Sequence, residues 1–331
     1  AAQGGVGGAA QGGVGGAAQG GVGGAAQGGA GAPAPACPDC CSDSFERGTA
    51  NPAVRKLANF TPSPEGVAVC PNGEVFVALD GSGELWHVPL SAAPPEKWAS
   101  LGDRRPAGLT CDEQGRLFVA IFSTLSGATA PLSVLMVSER DATPVALPAS
   151  EDGTAVTGLN GIVAVPGIGV YASDTSGNLI FLTQESAPGT FTTRVVARDV
   201  ALANGLAYDP AGPTLYAVAS GAGLYTYPIA ADGSLGTRET VSVARAILFT
   251  DGVAVDETGE AYVADYLGGA VVRASDGDRV ARLTNPASLA FRGGTLLVSD
   301  YRVMAPEAEG GLYAVDLGVC GAHPGQRRSA R

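Results

Sequence analysis

EGVAVCPNGEVFVALD, residues 65–80, reads as a polar residue, a glycine, a short apolar strand, a tight turn and a second apolar strand. The phrase returns as AGLTCDEQGRLFVAIF from Ala107, NGIVAVPGIGVYASD from Asn160 and NGLAYDPAGPTLYAVAS from Asn204. It returns again as DGVAVDETGEAYVADY from Asp251 and ASLAFRGGTLLVSDY from Ala287, so the starts lie 36 to 53 residues apart. Each copy alternates apolar residues at period two, as a strand with one buried face must. The turns at Pro71–Gly73, Asp112–Gly115, Asp209–Gly212 and Asp256–Gly259 carry the Asp/Asn/Gly chemistry of tight hairpins.

Working outward, a third strand follows at ELWHV (84–88), NLIFL (178–182), GLYTY (223–227), AVVRA (270–274) and GLYAV (311–315). A weaker fourth follows in most units, for example FTTRVVA at 191–197. Four antiparallel strands repeated every 40 to 50 residues or so are the signature of a propeller blade. The expected fold is therefore all-β, a six-bladed β-propeller over residues 54–318. The sixth unit has three strands of its own, and Val54–Phe60 precedes the first unit with no partner. That segment is expected to supply the sixth blade's outer strand and close the ring. A β-sandwich would need no such register between units.

Residues 1–36 repeat AAQGGVGG without a charge or an aromatic and read as a flexible linker. Residues 37–53 form a cysteine-containing lead-in, and 319–331 a tail whose Arg327, Arg328 and Arg331 read as a solvated end. The net charge of −12 supplies no footprint for nucleic acid, and no apolar run is long enough to span a bilayer. The chain starts at Ala1 without a signal peptide. An Ala/Gly/Gln repeat before a folded domain resembles the spacer of an exported protein, periplasmic or extracellular, or of a bacterial lipoprotein tethered to a lipid or cell surface; a truncated chain is the alternative. Of the six cysteines, one of Cys37, Cys40 or Cys41 is expected to bond Cys320. Zinc at the CPDCC cluster is the rival. Cys70 and Cys111 fall in different columns of the repeat, so no bond between them is assumed.

In a propeller the first strand of each blade lines the central channel. The residue before each repeat's glycine is Glu65, Ala107, Asn160, Asn204 and Asp251 in turn, and Ala287 stands at the same place in the sixth copy, before Ser288. Two carboxylates and two amides thus converge at one level, an arrangement that burial makes costly without a cation. The all-oxygen set Glu65, Asn160, Asn204 and Asp251 selects Ca²⁺, with Mg²⁺ or Mn²⁺ possible, over zinc or copper. Taken singly, each is an ordinary turn residue. A second column, Asp80, Phe122, Asp174, Ser220, Asp265 and Asp300, ends each second strand. It reads as acceptors for the following turn, with Asp174 and Asp265 the members placed to reach the channel mouth. His87 reads as a packed or surface residue.

These phrases resemble the regucalcin–gluconolactonase family of six-bladed propellers, with paraoxonases as more distant relatives. The resemblance rests on SPEG at Ser63–Gly66, LNG at Leu159–Gly161, NGL at Asn204–Leu206, TDGV at Thr250–Val253 and the stretch from Asp256 to Val280. It implies Glu65, Asn204 and Asp251 as metal ligands, Asn160 as a substrate contact beside the metal, and Asp251 as general base in hydrolysis of a lactone or related ester. It also marks departures. Gly158 stands where sugar-lactone members carry an arginine, Asp174 is a loose stand-in for their sugar-gripping acid, and neither His87 nor His323 forms the paraoxonase dyad. A less polar ester or lactone is thereby favoured at least equally. No serine nucleophile motif occurs. The competing expectations are a non-catalytic propeller on a tether that binds a ligand or protein, and a purely structural cation.

Overall fold

The computed structural model describes residues 54–89, 91, 93–302, 305 and 308–322. The linker, the CPDCC cluster with its expected bond to Cys320, His323 and the terminal arginines lie outside them. The described residues form twenty-four strands in six four-stranded antiparallel sheets and no helix, so none of their helices could cross a membrane.

The chain runs round the ring blade by blade. The first strands are Pro64–Val69, Arg105–Cys111, Leu159–Val165, Ala203–Asp209, Thr250–Val255 and Pro286–Arg292. Blade 2, whose third strand carries no clear repeat signal, builds it from Val134–Val137. Blade 6 takes its outer strand from Val54–Phe60, which pairs antiparallel with Gly310–Asp316 from Val54↔Val315 to Phe60↔Gly310. This is the expected closure.

Alternation explains how the blades stack. In the second strand of blade 1, Val75–Leu79, every residue is buried. Phe76 and Ala78 pack toward blade 2 with Leu109, Leu117, Val119 and Ile121. Val75, Val77 and Leu79 pack toward blade 6 with Leu297, Leu312 and Ala314. The same period-two division gives an apolar layer between blades 2 and 3, around Phe118, Ile162 and Phe181, and further layers between the remaining neighbours. Each middle strand is therefore apolar on both sides.

One cysteine expectation needs correction. Cys70 and Cys111 form a disulfide between blades 1 and 2, with Cα atoms 5.0 Å apart. They differ by one place in the repeat, but Cys70 lies just past its strand's end. There the strict alternation that separates columns no longer applies.

Candidate functional site

The first and second strands of every blade share one irregularity. Their register slips between Pro64 and Gly66, Pro106 and Leu109, Leu159 and Ile162, Ala203 and Leu206, Thr250 and Val253, and Pro286 and Leu289. The slip falls on Glu65 in blade 1, on the ring residue and its glycine in blades 2 to 5, and on Ala287 and Ser288 in blade 6. A bulge frees its residues from the ladder and re-aims their side chains. The glycine has its own reason. A Cβ on Gly161 would overlap the Asn204 carbonyl, and one on Gly205 the Asp251 carbonyl. The first strands thus approach so closely around the axis that only a bare backbone fits.

Glu65, Asn160, Asn204 and Asp251, from blades 1, 3, 4 and 5, line one cavity of about 40 Å³, room for a few water-sized species. Val67, Leu109, Ile162, Leu206, Val253 and Leu289 wall it with apolar surface. Glu65, Asn204 and Asp251 are 7%, 4% and 8% exposed, Ala107 and Ala287 are also buried, and Asn160 is half-buried. Sequence reading and structure agree on which residues meet.

The electrostatics of this cavity are unresolved by the protein's own groups. Burial first, then the neighbouring Asp251 and Asp80 charges, push the Glu65 carboxyl well above its ordinary value. Burial pushes Asp251 up to about 7, against a lowering contact from Asn204. Glu65 Oε2 is buried without a hydrogen-bond partner, which is costly for a polar atom. Among the described residues no group of three or more His, Cys, Asp and Glu side chains is assembled for a metal. The ring set supplies only two carboxylates and takes its other oxygens from amides, so the donors remain those of a hard cation.

A set of serines holds this ring, and the repeat did not announce it. Ser220 Oγ donates to the Thr250 carbonyl (2.7 Å) and so accepts from Asn204 Nδ2 (3.0 Å). That fixes the amide, leaving Asn204 Oδ1 as the acceptor end. Ser173 Oγ accepts from Gly161 N (2.8 Å) and donates to the Asn204 carbonyl (2.6 Å). Ser299 Oγ accepts from Ser288 N (2.9 Å) and donates to the Glu65 carbonyl. Each ties its own blade's first strand to the next blade's, Ser173 and Ser299 at the ring residue itself and Ser220 at Thr250, the residue before Asp251. Ser220 had been grouped with the second column, and Ser173 and Ser299 sit one place before it.

The second column is structural, as expected, but its bonds reach further than the following turn. Asp174 accepts from Thr157 N (2.7 Å), Thr157 Oγ1 (2.9 Å) and Gly177 N (2.8 Å). Asp265 accepts from Leu248 N and Gly268 N, and Asp300 from Asn285 N. Each clamps the loop that enters its own blade's first strand. Neither Asp174 nor Asp265 lines the cavity, and Asp174 is fully buried with both oxygens engaged. Asp80 departs from the pattern: Arg105 of blade 2 binds it through Nε (2.9 Å) and a second nitrogen, and Tyr301 of blade 6 donates to it at 2.5 Å. His87, expected to be inert, packs on Phe76 and Trp98 far from the ring.

Comparison with known proteins agrees with the motifs. Residues 147–299 match the family model described as the SMP-30/gluconolactonase/LRE-like region, and this stretch is regucalcin/gluconolactonase-like. No curated protein matches the chain. Among solved structures, the calcium-binding protein regucalcin from Agrobacterium tumefaciens is 20% identical, with TM-score 0.61 over 84% of this chain and 98% of that one. A gluconolactonase from Xanthomonas campestris is 16% identical, with TM-score 0.59 over 86% and 98%. A luciferin-regenerating enzyme is 18% identical, with TM-score 0.61 over 85% and 100%. At these identities the structural likeness carries the fold alone.

Proposed function

We propose that this propeller is a Ca²⁺-dependent hydrolase of a lactone or related ester. The observation that carries the reading is the convergence of Glu65 and Asp251 with two amides in one small buried cavity, with Glu65 Oε2 lacking any partner. Glu65, Asn160, Asn204 and Asp251 are the residues that would hold the cation, and Asn160, at the rim, would also contact substrate. When bound, the cation supplies Lewis-acid polarisation of the carbonyl and charge compensation for the oxyanion.

The chain's own groups supply the rest. Asp251 accepts a proton from water as the water oxygen bonds to the carbonyl carbon. The proton passes to the departing alkoxide as the ring C–O bond breaks, leaving a hydroxy acid. The apolar walls keep bulk water from screening these charges. Asn204, held by Ser220, is oriented before substrate arrives. The similarity of residues 147–299 to the gluconolactonase-type family model supports the same class of reaction. The Cys70–Cys111 bond fits an exported protein in an oxidising compartment.

A panel of lactones and esters, assayed with chelator and then with calcium, magnesium or manganese restored, tests the reading. Turnover is expected to vanish with chelator, return with calcium and stay absent in a folded Asp251→Ala variant. A wild type that hydrolyses nothing in any metal, while binding a ligand or protein equally well with and without Asp251, identifies a binding module instead.

A further inference from the structure

The cavity of about 40 Å³ has room for an ion and a reacting group but not for the body of a substrate, so the remainder of any substrate must lie against the mouth. The mouth is the end of the propeller where first strands begin and second strands finish. Seven large apolar side chains are exposed in the described structure, and five belong to this end: Phe122, Leu125, Leu202, Leu248 and Leu267. Phe122 and Leu125 lie where blade 2's second strand passes into its following loop, and Leu267 lies in the same loop of blade 5. Leu202 and Leu248 precede the first strands that carry Asn204 and Asp251. The other two, Val54 and Val145, start outer strands away from the axis. Single exposed leucines need no explanation, whereas five of seven gathered at one end of the propeller do.

Two local features show that this surface is built. Leu202 is a non-glycine residue at φ 49°, a strained conformation for a leucine. Its N–H is held at 2.7 Å by Asn178 Oδ1 while its side chain stands 46% exposed. Gly158 sits two residues before Asn160, and a Cβ there would lie 3.4 Å from Phe122 Cε2. Gly158 therefore lies against the Phe122 ring and the Ser176 hydroxyl. The apolar arc spans blades 2 to 5. At blades 6 and 1 stand Asp80, Tyr301 and Arg302, with Asp80 bound by Tyr301 and by Arg105 of blade 2, and Arg302 by Asp300.

We infer that this apolar arc binds the hydrocarbon part of the substrate, so that the lactone or ester carries an alkyl or aryl group and not a set of hydroxyls. The inference rests on the hydrolase reading and specifies its substrate class. Steady-state kinetics with calcium present, on γ-lactones whose side chain grows from methyl to octyl and on a polyhydroxylated sugar lactone, test it. Wild type is expected to gain about two- to fourfold in kcat/KM for each methylene until the arc is covered. It should also turn over the sugar lactone at least tenfold more slowly than the hexyl compound. Leu248→Ser with Leu267→Ser should flatten the chain-length dependence, and Leu248→Met with Leu267→Met should restore it. Circular dichroism melts verify that all variants fold.

Binding of the matching alkyl lactams, which resist hydrolysis, is measured in parallel. If no lactone is hydrolysed but lactam affinity climbs with chain length and falls in the serine variant, the hydrolase reading fails and the apolar site stands. If lactones are hydrolysed with no chain-length dependence, or the sugar lactone is preferred, the inference is overturned and the hydrolase stands. Phosphatidylcholine vesicles form the last arm. Vesicle binding lost in the serine variant, with flat chain-length kinetics, also overturns it in favour of a lipid surface.

Discussion

Asp174 and Asp251 are carboxylates buried at the same end of the propeller, 0% and 8% exposed, in neighbouring columns of one repeat. Asp174 accepts two backbone N–H groups and a hydroxyl and locks an entry loop to its blade. Asp251 faces a cavity that it shares with Glu65 and two amides, and burial lifts its pKa to about 7. Burial therefore does not distinguish a working carboxylate from a structural one. Satisfaction does: a carboxylate surrounded by donors is part of the scaffold, and one left facing another carboxylate awaits a partner.

Substitutions at the two columns should separate cleanly. The largest effect expected is from Asp251→Ala, a loss of 10²- to 10⁴-fold in kcat/KM, with no loss of stability in chelator because a buried charge is removed. Equal losses of activity and melting temperature would erase the distinction.

The next effect is on stability against pH. An unfolded chain releases the Asp251 proton near pH 4, and the folded, cation-free chain releases it near 7. Between those values the native state holds the extra proton, so stability in chelator should fall as pH rises from about 4 to about 7, then level off. The Asp251 share of the fall should reach at most about 4 kcal/mol. Urea titrations at pH 4.5 and 7.5 measure it. Calcium should restore stability at pH 7.5 much more than at 4.5, and Asp251→Asn should remove the Asp251 share of the slope and leave that of Glu65, whose carboxyl burial also raises.

Asp174→Ala should do the reverse of Asp251→Ala. Orphaning the Thr157 and Gly177 amides should cost about 2–3 kcal/mol in urea unfolding, with the folded enzyme retaining most of its turnover. The smallest effect is expected at Ser220→Ala, about 1 kcal/mol of stability and a several-fold lower kcat/KM as the Asn204 amide loses its fixed orientation. Calcium affinity measured by calorimetry should fall in step.

The ring was legible in the sequence because a repeat converts positions on a line into positions on a circle. Four oxygen-bearing residues before four glycines predicted the cavity, and the unpartnered strand at Val54–Phe60 predicted its closure. The serines were hidden because Ser173, Ser220 and Ser299 occupy no single column, and a lone hydroxyl has no period to detect. The reach of Asp174 to Thr157 crosses a loop outside the repeated phrase. The Cys70–Cys111 bond was obscured because strand ends escape the alternation that defines columns. The apolar mouth was invisible for a related reason: its members come from loops of unequal length, and only folding places them together.

The closing strand has a bearing on how the site comes into being. Val54–Phe60 leaves the ribosome before any complete blade exists, and its partner Gly310–Asp316 emerges only after all six first strands. The Ser299 bond to the Glu65 carbonyl spans the same seam. Glu65 is thus synthesised first among the ring residues yet gains its neighbours last. A nascent chain with five blades would hold Asn160, Asn204 and Asp251 in an open arc, and the cation's berth would be complete only when head and tail clasp.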